Sequence, residues 1–287
     1  MVIGVNALVE LNFRVMCELR RYSVGVVAAT LIAVAAIFVP SWSGDPVRAA
    51  DPPAGNMPVI VELFTSQGCS SCPPADAFLG ELAGRPDVLA LAMHVDYWDY
   101  IGWKDPFAKR TYTERQRDYA RSLWQRFVYT PQMVVDGRYQ DVGSDRHAIN
   151  KLIERARADK AKQPLVQIAR VDEPKADESD AGPPAKVRVE SIGFRGTASV
   201  WLALYDREHR TDVPRGENAG RRLVDYNVVR EFRRIGTFDG RPVTLALELG
   251  DLVGRHDAGV VFVQQDGTGP ILSCFGFDAG GAKRAGL

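Results

Sequence analysis

Cysteine is scarce in this sequence, and neither sign of charge prevails. The 287 residues include four cysteines, Cys17, Cys69, Cys72 and Cys274, which are too few for a disulfide framework. Basic and acidic residues both number 36, so the formal net charge is +0 and no bulk attraction to nucleic acid is expected. We find no internal repeat and no second Cys-x-x-Cys pair. Hydrophobic residues make up 46% of the chain, enough for one large domain or two ordinary ones.

The first fifty residues have the composition of an export signal. Arg20 and Arg21 precede an apolar run at residues 24–39, and small residues that suit signal cleavage follow, ending at Ala50. The apolar run is slightly short for a membrane span. We therefore interpret residues 1–50 as a signal peptide, with an uncleaved N-terminal anchor as the alternative.

This signal predicts a periplasmic or secreted protein, or one that residues 24–39 anchor to a membrane. Met16 would give a more ordinary start for the signal, and residues 51–57 have the composition of a linker. Outside the cytosol a pair of cysteines can form a disulfide and keep it.

Cys69 and Cys72 lie where a buried strand gives way to a helix. The apolar residues 59–64 predict a strand that is covered on both faces. After Pro73 the apolar residues follow helical spacing: Ala75, Phe78, Leu79 and Leu82. A helix start favours a thiolate, which is the attacking species in disulfide exchange. We expect Cys69 to be the exposed nucleophile and Cys72 the more buried resolving thiol.

Further elements follow in a regular order. A second apolar strand is predicted at residues 88–95, and a capping box formed by Thr113 and Gln116 predicts the next helix. The apolar stripe of that helix is predicted to consist of Tyr119, Ala120, Leu123, Trp124 and Phe127. An Asp-Gly pair at residues 136–137 predicts a hairpin, and a last helix is predicted at residues 146–159. The resulting order is β-α-β-α-β-β-α.

Short strands separated by turns dominate the second half of the chain. They are predicted at residues 165–171, 185–192, 198–206, 223–233, 243–249, 258–265 and 270–276. We therefore predict an α/β domain at residues 58–162 and a smaller β-sandwich-like domain at residues 163–287. Cys274, in the last strand, is interpreted as a packing residue.

The order of elements and the position of the cysteine pair resemble the thioredoxin fold. More narrowly, three segments are similar to the exported bacterial DUF1223 family: residues 61–76, 94–99 and 129–133. The resemblance extends over roughly residues 58–277. It implies a thioredoxin-like domain of no settled physiological role.

The resemblance also implies roles for three residues outside the cysteine pair. Pro131 is expected to be cis and to face the cysteines, leaving backbone groups open to an extended substrate. Thr130 is expected to line the thiol pocket. Glu62 is expected either to be a buried carboxylate that relays a proton to Cys72, or to be a strand-end residue facing water.

An aromatic cluster follows the second strand. It consists of Tyr97, Trp98, Tyr100, Trp103 and Phe107. These side chains either grip an unfolded or peptide substrate or bury the joint between the two domains. Within and beyond the cluster, Tyr97, Trp98 and Gln132 are the candidates for substrate binding.

These features predict an exported thiol-disulfide oxidoreductase that needs no cofactor besides its redox-active Cys69–Cys72 disulfide. Its partners would be protein or small-thiol disulfides and a redox protein that the sequence does not identify. Two alternatives remain: a metal-binding or metallochaperone module that uses Cys69, Cys72 and His94, and a non-catalytic thioredoxin-like binding protein. His94 itself has another interpretation, in which it is a core histidine whose ring nitrogens are satisfied by hydrogen bonds.

Overall fold

A computed structural model describes residues 57–171 and 184–280 of the chain. The helices are α1 (Pro73–Ala83), α2 (Arg110–Ser122) and α3 (Arg146–Lys160), with 3-10 turns at Asp99–Ile101 and Gly250–Leu252. The strands are β1 (Val59–Thr65), β2 (Val88–His94), β3 (Gln132–Val135), β4 (Tyr139–Val142), β5 (Leu165–Val171), β6 (Lys186–Ile192), β7 (Ala198–Val213), β8 (Arg221–Phe238), β9 (Val243–Ala246), β10 (Ala258–Gln265) and β11 (Ile271–Asp278). Residues 58–162 therefore have the predicted element order. The predicted signal peptide lies outside the described residues, as does the linker except for Met57.

No helix within the described ranges is both long enough and apolar enough to cross a membrane.

One mixed sheet of eight strands runs through the molecule in the order β11-β10-β7-β8-β2-β1-β3-β4. Strands β1 and β2 are parallel, whereas β3 is antiparallel to β1 and β4 is antiparallel to β3. Strand β8 joins β2 in parallel at the pair Ala92–Val228. The seven strands predicted after residue 163 are all present, but four of them extend the sheet of the first half. They do so because β8 pairs with the free edge of β2.

The other three strands form a small sheet in the order β5-β6-β9. Its apolar side chains pack against the large sheet, Val166 and Val187 lying in one core with Val200 and Val261. The two sheets thus share a second hydrophobic core.

Helices cover both faces of the central strands. Side chains alternate along β1, so Val61 and Leu63 pack with α1 and α3, whereas Ile60 and Phe64 pack with α2. Burial on both faces explains why the strand is apolar nearly throughout. Glu62 is the exception, and its partners are described below.

Helix α2 differs from its prediction at both ends. It begins at Arg110 rather than at a capping box, and the hydroxyl of Thr113 donates to Asp96 Oδ1 at 2.6 Å. It ends at Ser122, so Trp124 and Phe127 are 92% and 71% exposed and are not part of its apolar stripe. The backbone turns away at Trp124, which has φ of 56°.

Strands β7 and β8 form a hairpin much longer than predicted, with 16 and 18 residues. The predicted strand 198–206 covers only the inner part of β7, and the predicted strand 223–233 omits both ends of β8. Residues 214–220 join the strands and are called the hairpin tip below. The outer part of the hairpin lies against α1, where the ring of Tyr226 packs on Gly80.

Candidate functional site

Cys69 and Cys72 form a disulfide at the start of α1, with their Cα atoms 5.5 Å apart. Cys72 is the N-cap residue, and Pro73 begins the helix because the missing N–H of proline costs nothing in its first turn. The hydroxyl of Ser71 lies 3.3 Å from Cys69 Sγ. The disulfide thus lies where the helix dipole and a hydroxyl both favour a thiolate on Cys69.

The prediction that Cys69 is exposed is wrong. Both cysteines are 0% exposed, whereas Ser70 and Ser71 between them are exposed. The hairpin tip lies over this loop, and Asn218 Nδ2 donates to Gln67 O at 2.9 Å and to Cys69 O at 3.0 Å. The cover comes from residues about 150 positions later in the chain, which local sequence patterns cannot reveal.

Gln67 connects the cysteine loop to the β7–β8 hairpin. Its Nε2 donates to Asp225 Oδ2 at 2.7 Å and to Thr211 Oγ1 at 3.0 Å. Its Oε1 accepts from Trp103 Nε1 at 3.1 Å, and its backbone N–H donates to Asp105 Oδ2 at 2.8 Å. The amide nitrogen of this side chain therefore holds the loop to the hairpin, while its oxygen holds the loop to Trp103.

The Thr130–Pro131 peptide bond is cis, as the resemblance implies. Thr130 Oγ1 accepts from Trp98 Nε1 at 2.8 Å. Trp98 also lies against the cysteine loop, since a Cβ at Gly68 would come within 3.1 Å of Trp98 Cβ. Trp98 therefore connects the loop that precedes Cys69 with the residue that precedes the cis proline.

Tyr97 and Gln132 belong to an internal hydrogen-bond network. Tyr97 donates to Gln116 Oε1 at 3.1 Å, and Gln116 Nε2 donates to Gln132 Oε1 at 2.9 Å. Gln132 Nε2 in turn donates to Gln140 Oε1 at 2.9 Å. Gln132 is buried, so its amide positions β3 against α2 and β4 in this conformation.

The remaining aromatic residues have different surroundings. Tyr100 is 82% exposed. Phe107 is buried against the ring of His209, with centroids 4.6 Å apart, and the guanidinium of Arg230 lies 5.0 Å from its centroid. Trp103 lies against the hairpin tip, since a Cβ at Gly216 would come within 3.2 Å of its Cβ. Phe107 and Trp103 thus join the first half of the chain to the β7–β8 hairpin.

Glu62 is buried, so the water-facing interpretation is wrong. Its two carboxylate oxygens accept from Arg115 Nε at 2.6 Å and from Arg115 Nη2 at 2.9 Å, and the Tyr119 hydroxyl donates to the same carboxylate. The two parallel N–H···O bonds from one guanidinium fix the position and orientation of the carboxylate. This geometry favours a structural ion pair over a proton relay.

A buried acidic cluster next to the cysteines was missed by sequence reasoning. His94 Nδ1 lies 2.7 Å from Asp105 Oδ2, and His94 Nε2 lies 4.0 Å from Asp225 Oδ1. Asp76 accepts from the Thr65 hydroxyl at 2.7 Å. Only Asp76 could have been identified from the sequence, because it lies four residues after Cys72 and therefore one helical turn further along the same face. Asp225 comes from β8 and carries no local signal.

Burial and mutual repulsion shift the titration of this cluster. Burial, with the nearby Asp225, raises the pKa of Asp76 to about 8. Burial alone would lower the pKa of His94, but Asp105, Asp225 and Asp76 together raise it to about 9. Burial also raises the pKa of Asp225. At neutral pH the cluster therefore holds protons that an exposed group of carboxylates would have released.

His94 has the hydrogen bond that the core-histidine interpretation requires, through Nδ1, while Nε2 has no hydrogen-bond partner among the described residues and lies 4.0 Å from Asp225 Oδ1. No group of three or more His, Cys, Asp or Glu side chains in residues 57–171 and 184–280 has the arrangement to hold a metal ion. Cys274 is partly buried, and burial raises the pKa of its thiol to about 11, as expected for a packing residue.

A separate cavity of about 1040 Å³ lies between α2 and strands β7, β8 and β10. Arg115, Trp201 and Phe232 line it. None of its lining residues belongs to the cysteine loop or to α1, so the cavity and the disulfide are distinct features.

The DUF1223 family, described as proteins of unknown function, matches residues 60–264. Protein AGR_C_4864 from Agrobacterium tumefaciens has a similar crystal structure, with 29% identity and a TM-score of 0.63. The match covers 80% of this chain and 97% of that one. HBP35 of Porphyromonas gingivalis is similar in fold at 12% identity, with a TM-score of 0.53 and coverage of 81% of this chain and 78% of that one. No curated protein matches the sequence.

Proposed function

The chain belongs to the DUF1223 family, and we propose that it is an exported thiol-disulfide oxidoreductase that works through Cys69 and Cys72. The observation that carries the proposal is their disulfide at the N-terminus of α1, beside parallel strands β1 and β2. In open α/β sheets this edge, at the carboxyl ends of the strands, is where ligands and reacting groups gather.

The surrounding architecture supports a thioredoxin-like domain. The strand order β2-β1-β3-β4 is flanked by α1 and α3 on one face and by α2 on the other. A cis proline opens β3, which is the position that the thioredoxin fold reserves for it. We propose that Thr130, Pro131 and Trp98 form the wall against which a substrate disulfide binds.

The chemistry is thiol-disulfide exchange. In the reduced protein, the Cys69 thiolate attacks a substrate disulfide, a bond forms between Cys69 and one substrate sulfur, and the other substrate sulfur leaves as a thiolate. The Cys72 thiolate then attacks Cys69, which re-forms the disulfide and releases the second substrate thiol. Two electrons pass from the cysteine pair to the substrate, and the reverse sequence oxidises a substrate dithiol.

Asp76 is the group that we propose to exchange protons with Cys72. Its backbone N–H donates to Cys72 O at 3.1 Å, so the two side chains leave adjacent turns of α1. A carboxyl with a pKa of about 8 is mostly protonated at neutral pH. It can give its proton to the leaving Cys72 thiolate and take it back when Cys72 attacks. In this proposal Asp76 has the role first predicted for Glu62.

A trapping experiment tests the function. Cys72→Ala leaves the nucleophile without a resolving thiol, so we expect it to accumulate mixed disulfides with a peptide disulfide through Cys69. Cys69→Ala should form none, and both variants should lose turnover with a fluorescent peptide disulfide. Cys274→Ala is the matched control and should retain activity. Absence of both turnover and trapped adducts would refute the proposal.

Export rests on the predicted signal at residues 1–50 and on the chemistry of the pair. A disulfide persists in oxidising compartments and is rare in the reducing cytosol. We expect fractionation of producing cells to recover the protein outside the cytoplasm with Cys69 and Cys72 oxidised; cytoplasmic protein with free thiols would contradict this part of the proposal.

A further inference from the structure

The hairpin tip closes over the disulfide through a small number of polar contacts. Asn218 Nδ2 holds the carbonyls of Gln67 and Cys69, and Glu217 Oε2 accepts from the backbone N–H of Ser70 at 3.2 Å. Asn218 is buried, but most of the tip around it is exposed. The tip therefore holds the backbone of the loop that carries the buried sulfurs, while most of its own residues stay exposed.

We propose that the hairpin tip is an autoinhibitory cover that occupies the place of a substrate's backbone, and that an extended polypeptide displaces it to reach the disulfide. This inference rests on the proposed function. It states how access to the same site is controlled and that its substrate is an extended polypeptide.

The groups that the tip holds are those that an extended chain would use. Gln67 and Cys69 offer carbonyl acceptors and Ser70 offers an N–H donor, all beside the disulfide. Strand addition pairs such groups with the amide N–H and carbonyl groups of a bound peptide. In the closed structure, the side chains of Asn218 and Glu217 take these positions instead.

The tip is built so that it can move while the hairpin stays paired. The ladder between β7 and β8 reaches Val213–Arg221, and its pairing does not use the bonds that Asn218 and Glu217 make to the cysteine loop. Arg221 also donates to Asn218 Oδ1 at 3.1 Å. Gly216 and Gly220 both have φ of 80°, a region that glycine adopts without strain. Segments with few buried apolar contacts open at low free-energy cost. Release of Asn218 and Glu217 would therefore free the cysteine loop from the side chains of the tip, while Gln67 stays bonded to Thr211 and Asp225.

The test measures access to the disulfide directly. Dithiothreitol reduces the pair when one of its thiolates attacks Cys69 and Cys72 leaves; its second thiolate then releases Cys69 and closes the oxidised reagent. We expect Asn218→Ala, which loses both hydrogen bonds from this side chain to the cysteine loop, to raise the second-order rate constant of this reduction about tenfold. Asn218→Asp should raise it as well, because a carboxylate would face two carbonyl oxygens.

Arg222→Ala is the matched control on the same hairpin. Arg222 pairs with Asp212 at 2.7 Å on the surface and does not touch the cysteine loop, so its rate should equal that of the wild type. If Asn218→Ala does not fold, Glu217→Ala replaces it and should give a smaller increase. Rates equal to the wild type in every folded tip variant would overturn the proposal.

A second measurement tests whether an extended polypeptide can take the place of the hairpin tip. An unfolded polypeptide without cysteine should displace the tip of the wild-type protein and accelerate reduction by dithiothreitol; no acceleration would overturn the substrate class. Faster reduction of the Asn218 variant without any exchange with peptide disulfides would leave the cover standing and remove the proposed function. If the wild type exchanges disulfides but the Asn218 variants are reduced at the wild-type rate, the proposed function stands and the cover is refuted.

Discussion

Asp76 is an acid whose surroundings oppose its charge. It is buried on the first turn of α1, and the carboxyl of Asp225 faces it from β8. The unfolded chain would ionise Asp76 above about pH 3.8, whereas the folded chain retains the proton to about pH 8. Asp76 therefore lowers the stability of the fold progressively as the pH rises through this window.

His94 contributes a pH dependence of the same sign. Its pKa is raised from 6.5 to about 9 in the folded protein. The stabilisation from its charged form is fully present below pH 6.5 and is lost as the pH rises through 9. Both groups predict a protein that is less stable at pH 9 than at pH 6.

Asp76→Asn should remove the Asp76 part of this dependence. Asparagine keeps an oxygen to accept from Thr65 but carries no charge, so we expect the free energy of unfolding at pH 9 to rise by at least about 1 kcal/mol. The same variant should exchange disulfides about tenfold more slowly if the proton transfer is rate-limiting. Urea unfolding at pH 6 and 9 and turnover of a peptide disulfide measure the two effects. A gain in stability without loss of turnover would leave Asp76 as a structural acid only.

At the scale of elements, α1 is held between the sheet and the β7–β8 hairpin. Its apolar face packs on the sheet, while Gly80 lies under the ring of Tyr226. A Cβ at position 80 would lie 2.6 Å from two ring carbons. The absence of a side chain at Gly80 is thus what lets the hairpin approach the helix that carries the cysteines.

Gly80→Ala should destabilise the protein although alanine is normally the better helix residue. Alanine favours a helix by roughly 1 kcal/mol over glycine, but overpacking costs about 1–3 kcal/mol. We expect a net loss in urea unfolding and faster reduction of the disulfide, because the hairpin must shift. Gly84→Ala is the control: position 84 is exposed and its nearest neighbour would be 3.5 Å away. Equal stability of the wild type and Gly80→Ala would contradict the close contact.

Local signals explain which elements the sequence predicts. Helix α1 follows from its proline start and apolar spacing, and Asp136 and Gly137 have the positive φ values of 53° and 66° that an Asp-Gly hairpin requires. The outer part of β7 was not predicted as a strand, because residues 207–212 are mostly charged or polar and resemble a loop. A paired hairpin that leaves the core does not need an apolar face, so periodicity cannot detect it.

The site was predictable only where its parts are close in sequence. The cysteine pair and Pro131 were found from local patterns and from a resemblance. Asn218 and Asp225 were not, because they meet the cysteine loop across 149 and 158 residues. Glu62 was placed correctly in a buried strand, but its partner Arg115 lies on a different element and decides its chemistry.

At the scale of the molecule, Arg115 connects three regions. Its guanidinium donates to Glu62 in β1, to the Tyr119 hydroxyl in α2 at 2.9 Å and to Gln264 Oε1 in β10 at 3.1 Å. The group is buried, and every contact is internal. The first and second halves of the chain are thus held together by a charged centre as well as by their common sheet.

Glu62→Gln should destabilise the whole protein by about 3 kcal/mol, because it leaves a buried guanidinium without its counter-charge. Glu114→Gln is the control on α2: its pair with Arg117 is exposed, and its loss should cost 0.5 kcal/mol or less, by the usual magnitude of about 0–1 kcal/mol for surface pairs. Urea unfolding measures both. Per folded molecule, Glu62→Gln should retain exchange activity. A variant of normal stability with no activity would restore Glu62 as the proton relay.

The hydrogen bond between Gln67 and Asp225 also bears on when the cysteine loop is covered during folding. The cysteine loop emerges from the ribosome or the export channel long before Asp225, since 158 residues separate them. Contacts of such large separation form late, after local helices and hairpins. In the exported protein that we propose, we therefore expect the two thiols to be open to an oxidant before the β7–β8 hairpin covers their loop.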